Sequence, residues 1–385
     1  MNSSALPLPQ GCEPLCRGCS HRQLDQAASL AQKLGFLRRC LHPWADALEE
    51  VRSAIPSRRW GYRTRTTLTA VLGPSGWTLG MWNRDTLVPI PRCPAHTPEV
   101  NAALAAVAAT MPQLQQPTMA YAVISGAQVV VVLKNKHLPP QWDYAPLINT
   151  LQQHGFEALW VHLNPSAGRR LFQKHGWHLL WGEPRSRDHN GLLYGPAAFQ
   201  QLIAELYNQS LDEAEHFLAP HARSAVADLY CGTGNSIARW LPHGAEVLGV
   251  EVGGEAVECA RLNVPQATVL RGACRQRVPQ LDAWAHQQVQ QQRELCLYVN
   301  PPRTGLETEV LEWICQQRLP VRMAYLSCSP GTLSKNLTQL CAHGYAVRRL
   351  VPFDFFPQTH HVECLALIER VQSTPFTPSP NSAKS

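Results

Sequence analysis

Two rhythms of apolar and polar positions divide this chain. From about residue 190 to residue 370, short apolar runs alternate with amphipathic stretches of about a dozen residues. "AFQQLIAELYNQSLDEAEHFL" has helical spacing and leads into this region. "SAVADLYCGTGNSIARWLP" then reads as a strand, a Gly-rich turn and a helix. "AEVLGVE", "LCLYVNPP" and "VRMAYLSCSP" read as strands, and "GGEAVECARLNV", "ETEVLEWICQQR" and "GTLSKNLTQLCAHG" as the helices between them. Two strand-like runs, "YAVRRLVPFDFF" and "VECLALIER", close the series. Strands alternating with helices predict a parallel, doubly wound α/β sheet.

Upstream the spacing is different. "GYRTRTTLTAVLG" alternates, while "YAVISGAQVVVVLK" and "EALWVHLNP" are β-branched and apolar, so residues 60 to about 182 read mostly as strands and loops. "EVNAALAAVAATM" supplies a helix among them. Before residue 50, "RQLDQAASLAQKLGFLRRCL" has roughly helical spacing at Leu24, Ala28, Leu30, Leu34 and Leu37. The predicted boundaries are 1–55, a cysteine-rich segment and helix; 56–188, a smaller α+β domain; 189–370, the α/β domain; and 371–385, a Pro- and Ser-rich disordered tail.

Composition narrows the class. With 385 residues, 45% hydrophobic and 16% charged, the chain has the material for two or three packed domains. A net charge of +6 is permissive for a nucleic-acid partner. No run of eighteen apolar residues occurs, so no membrane helix is expected. "MNSSALPLPQGCEPLC" lacks a basic and then apolar leader, so a cytoplasmic protein is expected. Thirteen cysteines in that setting point to ligands, catalysts or small core residues rather than disulfides.

The chemistry gathers at the strand ends. "DLYCGTGN", Asp228 to Asn235, lets backbone approach a ligand closely, and Glu251 ends the next strand in "LGVE", where a carboxylate suits the hydroxyls of a ribose. The turn lacks the third glycine of a dinucleotide site. Asp228, Tyr230, Gly232, Gly234 and Glu251 together resemble the S-adenosylmethionine site of class I methyltransferases. In "VNPPRTGLE" two prolines hold a stiff loop that presents Asn300 to a planar base or to the methyl donor. Cys328, in "YLSCSPGTLSKNL", lies at the C-terminal end of the following strand. A thiol beside a methyl donor fits methylation of a weakly nucleophilic carbon, such as carbon 5 of uracil, through addition at carbon 6.

Taken in order with "FDFFPQTHHVECLAL", these segments resemble the RNA (uracil-5-)-methyltransferase family, in particular its iron-sulfur-containing 23S rRNA branch. The resemblance implies a C-terminal Rossmann-like class I methyltransferase domain, Cys328 as nucleophile and Glu363 as the base that removes the carbon 5 proton. It makes Asp354 structural and Gln200 the contact to the methyl donor, with Gln201 the competing register. Cys12, Cys16, Cys19 and Cys93 would hold a [4Fe-4S] cluster, with a Cys₄ zinc site as the rival.

Three departures stand out. Ser329 replaces the family's Asn, Asn300 replaces the commoner Asp, and "LRGACRQR" lacks the acid expected after the third strand. RNA is the expected partner, rRNA favoured over tRNA by the cysteine set, with no membrane and no obligate protein partner. Residues 56–188 are the expected RNA-recognition domain. Its first strip, "SRRWGYRTRTTL", interleaves Arg58, Arg59, Arg63 and Arg65 with Trp60 and Tyr62, as single-stranded RNA contact requires. "GRRLFQKHGWH" is a second patch. The alternatives are a tRNA enzyme of the same kind, a methyltransferase acting on an exocyclic amine, and a non-catalytic RNA-binding protein with a degenerate methyltransferase fold.

Overall fold

A computed structural model describes residues 6–112, 119–139, 142–168 and 170–371. The expected disordered tail from residue 372 lies outside them, as does Arg169 of the second basic patch.

The central region forms one seven-stranded sheet from β1 (Arg65–Gly73), β2 (Gly76–Asn83), β3 (Thr86–Pro89), β4 (Met119–Ser125), β5 (Gln128–Leu133), β6 (Ala158–Leu163) and β7 (Trp177–Gly182). The order is β3-β2-β1-β4-β5-β6-β7, and only the β5–β6 pair is parallel. Two helices, Pro98–Thr110 and Ala145–Gln153, bury Val100, Leu104, Leu147 and Leu151 against Leu68, Ile124 and Val131. A short ribbon, β8 (Ser186–Arg187) and β9 (Leu193–Tyr194), leads away from this sheet.

The second sheet holds β10 (Ser224–Leu229), β11 (Glu246–Glu251), β12 (Thr268–Arg271), β13 (Glu294–Val299), β14 (Arg322–Ser327), β15 (Tyr345–Phe353) and β16 (Glu363–Arg370), in the order β12-β11-β10-β13-β14-β16-β15. Five strands from β12 to β14 run parallel, and β16 pairs antiparallel with both neighbours. Every residue of β10 is buried, because helices cover both faces. That is why these strands read as apolar runs rather than as alternation. The chain steps outward from β10 to β11 and β12, then returns to start β13 on the other side of β10. This reversal opens a crevice at the C-terminal ends of β10 and β13, where such sheets bind ligands.

The sequence pattern misses one helix of the second sheet. The helix Cys274–Gln290 between β12 and β13 contains Pro279 and a Gln-rich second half, which dilute its apolar stripe. The N-terminal helix Gln26–Cys40, capped by Asp25, sends Leu37 and Leu41 into the core of the second sheet. Among the described residues no helix is long and apolar enough to cross a membrane.

Candidate active site

A cavity of about 1220 Å³ opens at the crevice. That exceeds the roughly 300–1,000 Å³ of an ordinary small-molecule site. Its floor is the turn after β10. Tyr230 takes a left-handed backbone there (φ +62), followed by Gly232 (φ +56) and Gly234 (φ +88). A β-carbon on Gly232 would meet nothing within 4 Å and would project into open space. One on Gly234 would meet Val264 at 3.1 Å, so this glycine serves the packing of the turn on the helix Gly254–Asn263 and does not line the cavity.

Glu251 stands on the wall with its carboxylate fixed by two backbone donors, Gly232 N–H at 3.1 Å and Gly253 N–H at 2.6 Å. Asp228 behaves differently. It is fully buried beneath the turn, accepts the Trp240 indole N–H at 2.8 Å and does not line the cavity. Burial pushes its carboxyl up to about 7. Asp228 therefore braces the turn from below rather than facing a ligand. Tyr230 and Asn300 do line the cavity. The wall at Gly272, Ala273 and Cys274, where an acid is missing from the sequence, is approached by Glu307, which accepts from Arg275 N–H at 2.9 Å. Glu307 ends the quoted "VNPPRTGLE", but nothing in its spacing marks it as a wall residue.

Cys328 and Glu363 meet on the opposite side. The β14–β16 register pairs Ser327 with Cys364, which sets Cys328 beside Glu363 across the ladder. Both line the cavity. Glu363 is only 4% exposed, and burial pushes its carboxyl up to about 7 against the opposing pull of Gln201 and Arg303. Burial also raises the half-buried Cys328 thiol; Glu363 raises it further and Arg303 lowers it. Arg303, from the stiff Pro-Pro loop, reaches His361 at 3.4 Å. Burial and neighbouring cations hold that imidazole down to about 4, so at neutral pH it carries no competing charge. Ser329, the departure next to Cys328, bonds Thr332 at 2.9 Å, and Thr332 donates to the Arg303 carbonyl at 3.2 Å.

Gln201 donates to Glu363 at 3.4 Å, while the Gln200 amide nitrogen and the Gln201 amide oxygen are buried without a protein partner. Both glutamines line the cavity, so both registers face it. The strip of arginines and rings does not form the expected solvent-facing platform. Tyr62 is 5% exposed, Arg63 packs over its ring, and Arg65 donates to the Ala198 carbonyl at 2.7 Å beneath Phe199. Arg58 is exposed but paired with Glu205. Arg65, where β1 begins, holds the chain before the glutamines in place, and packing decides which residues of the strip are wet.

Cys12, Cys16, Cys19 and Cys93 converge where the two sheets meet. Cys16 and Cys93 pack on the core of the first sheet, Cys19 and Cys93 on that of the second. Gly18 N–H donates to the Cys16 sulfur at 3.4 Å and Arg22 to the Cys12 sulfur at 3.8 Å. Burial raises Cys19 to about 11, and the other three thiols add to the shift against Arg63. Among the described residues no group of His, Cys, Asp or Glu is drawn together tightly enough to hold a metal ion. Cys40, Cys231, Cys259, Cys274, Cys296, Cys315, Cys341 and Cys364 are unpaired.

A glycine turn and a ribose-ready carboxylate at the switch point of a doubly wound sheet define a class I methyltransferase fold. Residues 281–371 match the family model described as tRNA (Uracil-5-)-methyltransferase. Over 92% of this chain and 84% of the relative, it is 28% identical to "23S rRNA (uracil(1939)-C(5))-methyltransferase RlmD" of an Azoarcus species. It is 26% identical to an uncharacterized RNA methyltransferase, tlr0942, of Thermosynechococcus vestitus, over 92% of this chain and 82% of that one. The crystal structure of Pyrococcus abyssi tRNA (uracil-54, C5)-methyltransferase, in complex with S-adenosyl-L-homocysteine, shares the fold. Its TM-score is 0.66 at 21% identity, over 92% of this chain and 86% of that chain. Along most of its length the chain is similar to RNA (uracil-5-)-methyltransferases.

Proposed function

We propose that this protein transfers a methyl group from S-adenosylmethionine to carbon 5 of a uridine in RNA, through a bond between Cys328 and carbon 6. The observation that carries the reading is that Cys328 and Glu363 line one cavity together with the glycine turn. A thiol and a buried carboxylate have no task in methylation of an exocyclic amine. A degenerate fold gives no reason to keep them together. Relatives along most of the chain are named as 23S rRNA enzymes, which favours rRNA over tRNA. The unpaired cysteines suit a reducing cytoplasm.

When bound, the methyl donor supplies an electrophilic methyl group. Gly232 would leave room for it and Glu251 would accept from its ribose, while Asn300 and Gln200 would offer amides to it from the same cavity. Cys328, as thiolate, adds to carbon 6 of the uracil and sends the ring electrons to the carbon 4 oxygen. Carbon 5 of this enolate takes the methyl group as the donor's sulfur–methyl bond breaks, and S-adenosylhomocysteine is the leaving group. Glu363 then accepts the proton from carbon 5, the double bond re-forms and the carbon–sulfur bond breaks. Incubating the protein with labelled methyl donor and unmodified bulk RNA should yield 5-methyluridine in nuclease digests. Labelled methylamine nucleosides would instead support the exocyclic reading, and no label the non-catalytic one.

The last step has a pH signature. Glu363 must be ionised to accept a proton, and burial holds it up to about 7. Release of methylated RNA should therefore quicken as pH rises and level off above about 7, running at roughly a tenth of the plateau one pH unit below that value. Single-turnover release measured across this range checks it; a flat profile would assign proton removal to another group.

Cys12, Cys16, Cys19 and Cys93 are the residues that would hold a [4Fe-4S] cluster. An all-thiol donor set with N–H groups aimed at sulfur suits it. Protein purified without oxygen should be brown and carry about four irons per chain. Cys93→Ser should lose most of that iron. Zinc at one equivalent without iron would mean the Cys₄ zinc site instead.

A further inference from the structure

The loop 354–361 contributes His361 to the cavity wall and delivers the chain to Glu363. Its backbone groups find their partners mainly outside their own domain, in the N-terminal segment. Asp354 N–H donates to the Arg52 carbonyl at 2.8 Å. The Phe356 carbonyl accepts from Lys33 at 3.0 Å and the Pro357 carbonyl from Ser29 at 3.4 Å. The Gln358 carbonyl accepts from His21 N–H at 2.9 Å, and His360 N–H donates to the Ser20 hydroxyl at 2.9 Å. Side chains add to this. Lys33 and Asp354 form a fully buried ion pair, and Gln358 donates to the Arg59 carbonyl at 3.0 Å. His21 bonds Ser29 at 2.9 Å, closing the segment on itself.

Ser20 directly follows Cys19, and residues 6–20 contain neither helix nor strand. Little regular structure holds Cys19 in place, so anchoring its sulfur removes most of the freedom of the residues beside it. We infer that residues 20–33 are a brace that positions Glu363, with Ser20 joining it to the Cys12, Cys16, Cys19 and Cys93 site, so that the state of that site governs proton removal from carbon 5. The inference rests on the covalent reaction proposed above. Ser20 and Lys33 are positioning residues; neither touches the reacting atoms. The effect is selective by construction. Cys328 sits at the end of β14, whose ladder partners are β13 and β16, whereas Glu363 is the first strand residue after the braced loop. Loosening the loop misplaces the base and leaves the thiol where it was.

The full-length protein, purified without oxygen, is compared with Cys19→Ala, Ser20→Ala and Ser20→Thr by amide hydrogen exchange and by single-turnover kinetics. Ser20 is exposed, so Ser20→Ala keeps the comparison informative if Cys19→Ala folds poorly. Exchange across 354–361 should rise about tenfold in Cys19→Ala and about threefold in Ser20→Ala, with β10 and β13 unchanged. Methyl transfer should stay within about twofold while release of methylated RNA slows at least about fivefold. Ser20→Thr keeps a hydroxyl and should restore both. Unchanged loop exchange in both Cys19→Ala and Ser20→Ala, or equal slowing of methyl transfer and release, would overturn the inference. If the unsubstituted protein gives neither methylated RNA nor an RNA adduct, the reaction reading fails, and the exchange comparison still decides whether the brace exists.

Discussion

Cys328→Ala should abolish formation of 5-methyluridine, by more than about 1,000-fold, because a residue that forms the intermediate cannot be compensated by binding alone. Without a thiol at the end of β14, nothing adds to carbon 6. Carbon 5 then stays too weak a nucleophile to take a methyl group. The remaining machinery should survive the change. Cys328 is half-buried just past the end of β14, so the fold should tolerate alanine. The glycine turn and Glu251 lie on other strands, so affinity for the methyl donor should stay within about twofold by equilibrium binding, as expected for sites that share no partners. RNA affinity should also persist, since phosphate contacts dominate it. A variant that binds both partners and makes no product is the expected outcome. Residual activity at a tenth of the original would mean that another group activates the ring.

Glu363→Gln should act one step later. The substitution is nearly isosteric, and its amide oxygen can still accept from Gln201, so the β14–β16 edge should keep its geometry. It also replaces the protonated state that burial already favours below about pH 7. Cys328 can still add and carbon 5 can still be methylated, but no carboxylate takes the proton. Turnover should fall by about 100- to 10,000-fold, the usual worth of a positioned general base. The methyl group should nevertheless transfer once, and enzyme should accumulate bonded to RNA. In a denaturing gel this would be a retarded band that nuclease removes. Normal turnover would assign the proton to another acceptor, with the neutral His361 next in line on the same wall.

The catalytic sheet was legible for a physical reason. Its parallel strands are buried on both faces, so β10, β11, β13 and β14 stand out as apolar runs ended by Gly, Pro or Cys. The motifs at their ends inherit that order, and topology then places them in one crevice. What was not legible depends on partners distant in sequence. Asp228 and Glu251 are both acids beside the turn, yet only Glu251 faces the cavity, because Trp240 claims Asp228 from the helical side. Lys33 reads as a solvated cation in a helix, but its partner Asp354 is 321 residues away. Arg63 and Arg65 read as an RNA-facing strip until Tyr62, Phe199 and the cysteine segment pack around them. The helix Cys274–Gln290 shows the opposite limit: its burial is real, but Pro279 and a run of glutamines hide it from the pattern.

The central claim is a bond between this chain and its RNA substrate. Glu363→Gln incubated with methyl donor and unmodified RNA, then digested with nuclease and protease, gives the most direct test by mass spectrometry. The peptide containing Cys328 should carry the added mass of a methylated uridine nucleotide, absent when Cys328 is also replaced by alanine. A 5-methyluridine product formed with no nucleotide on any cysteine peptide would contradict the covalent account.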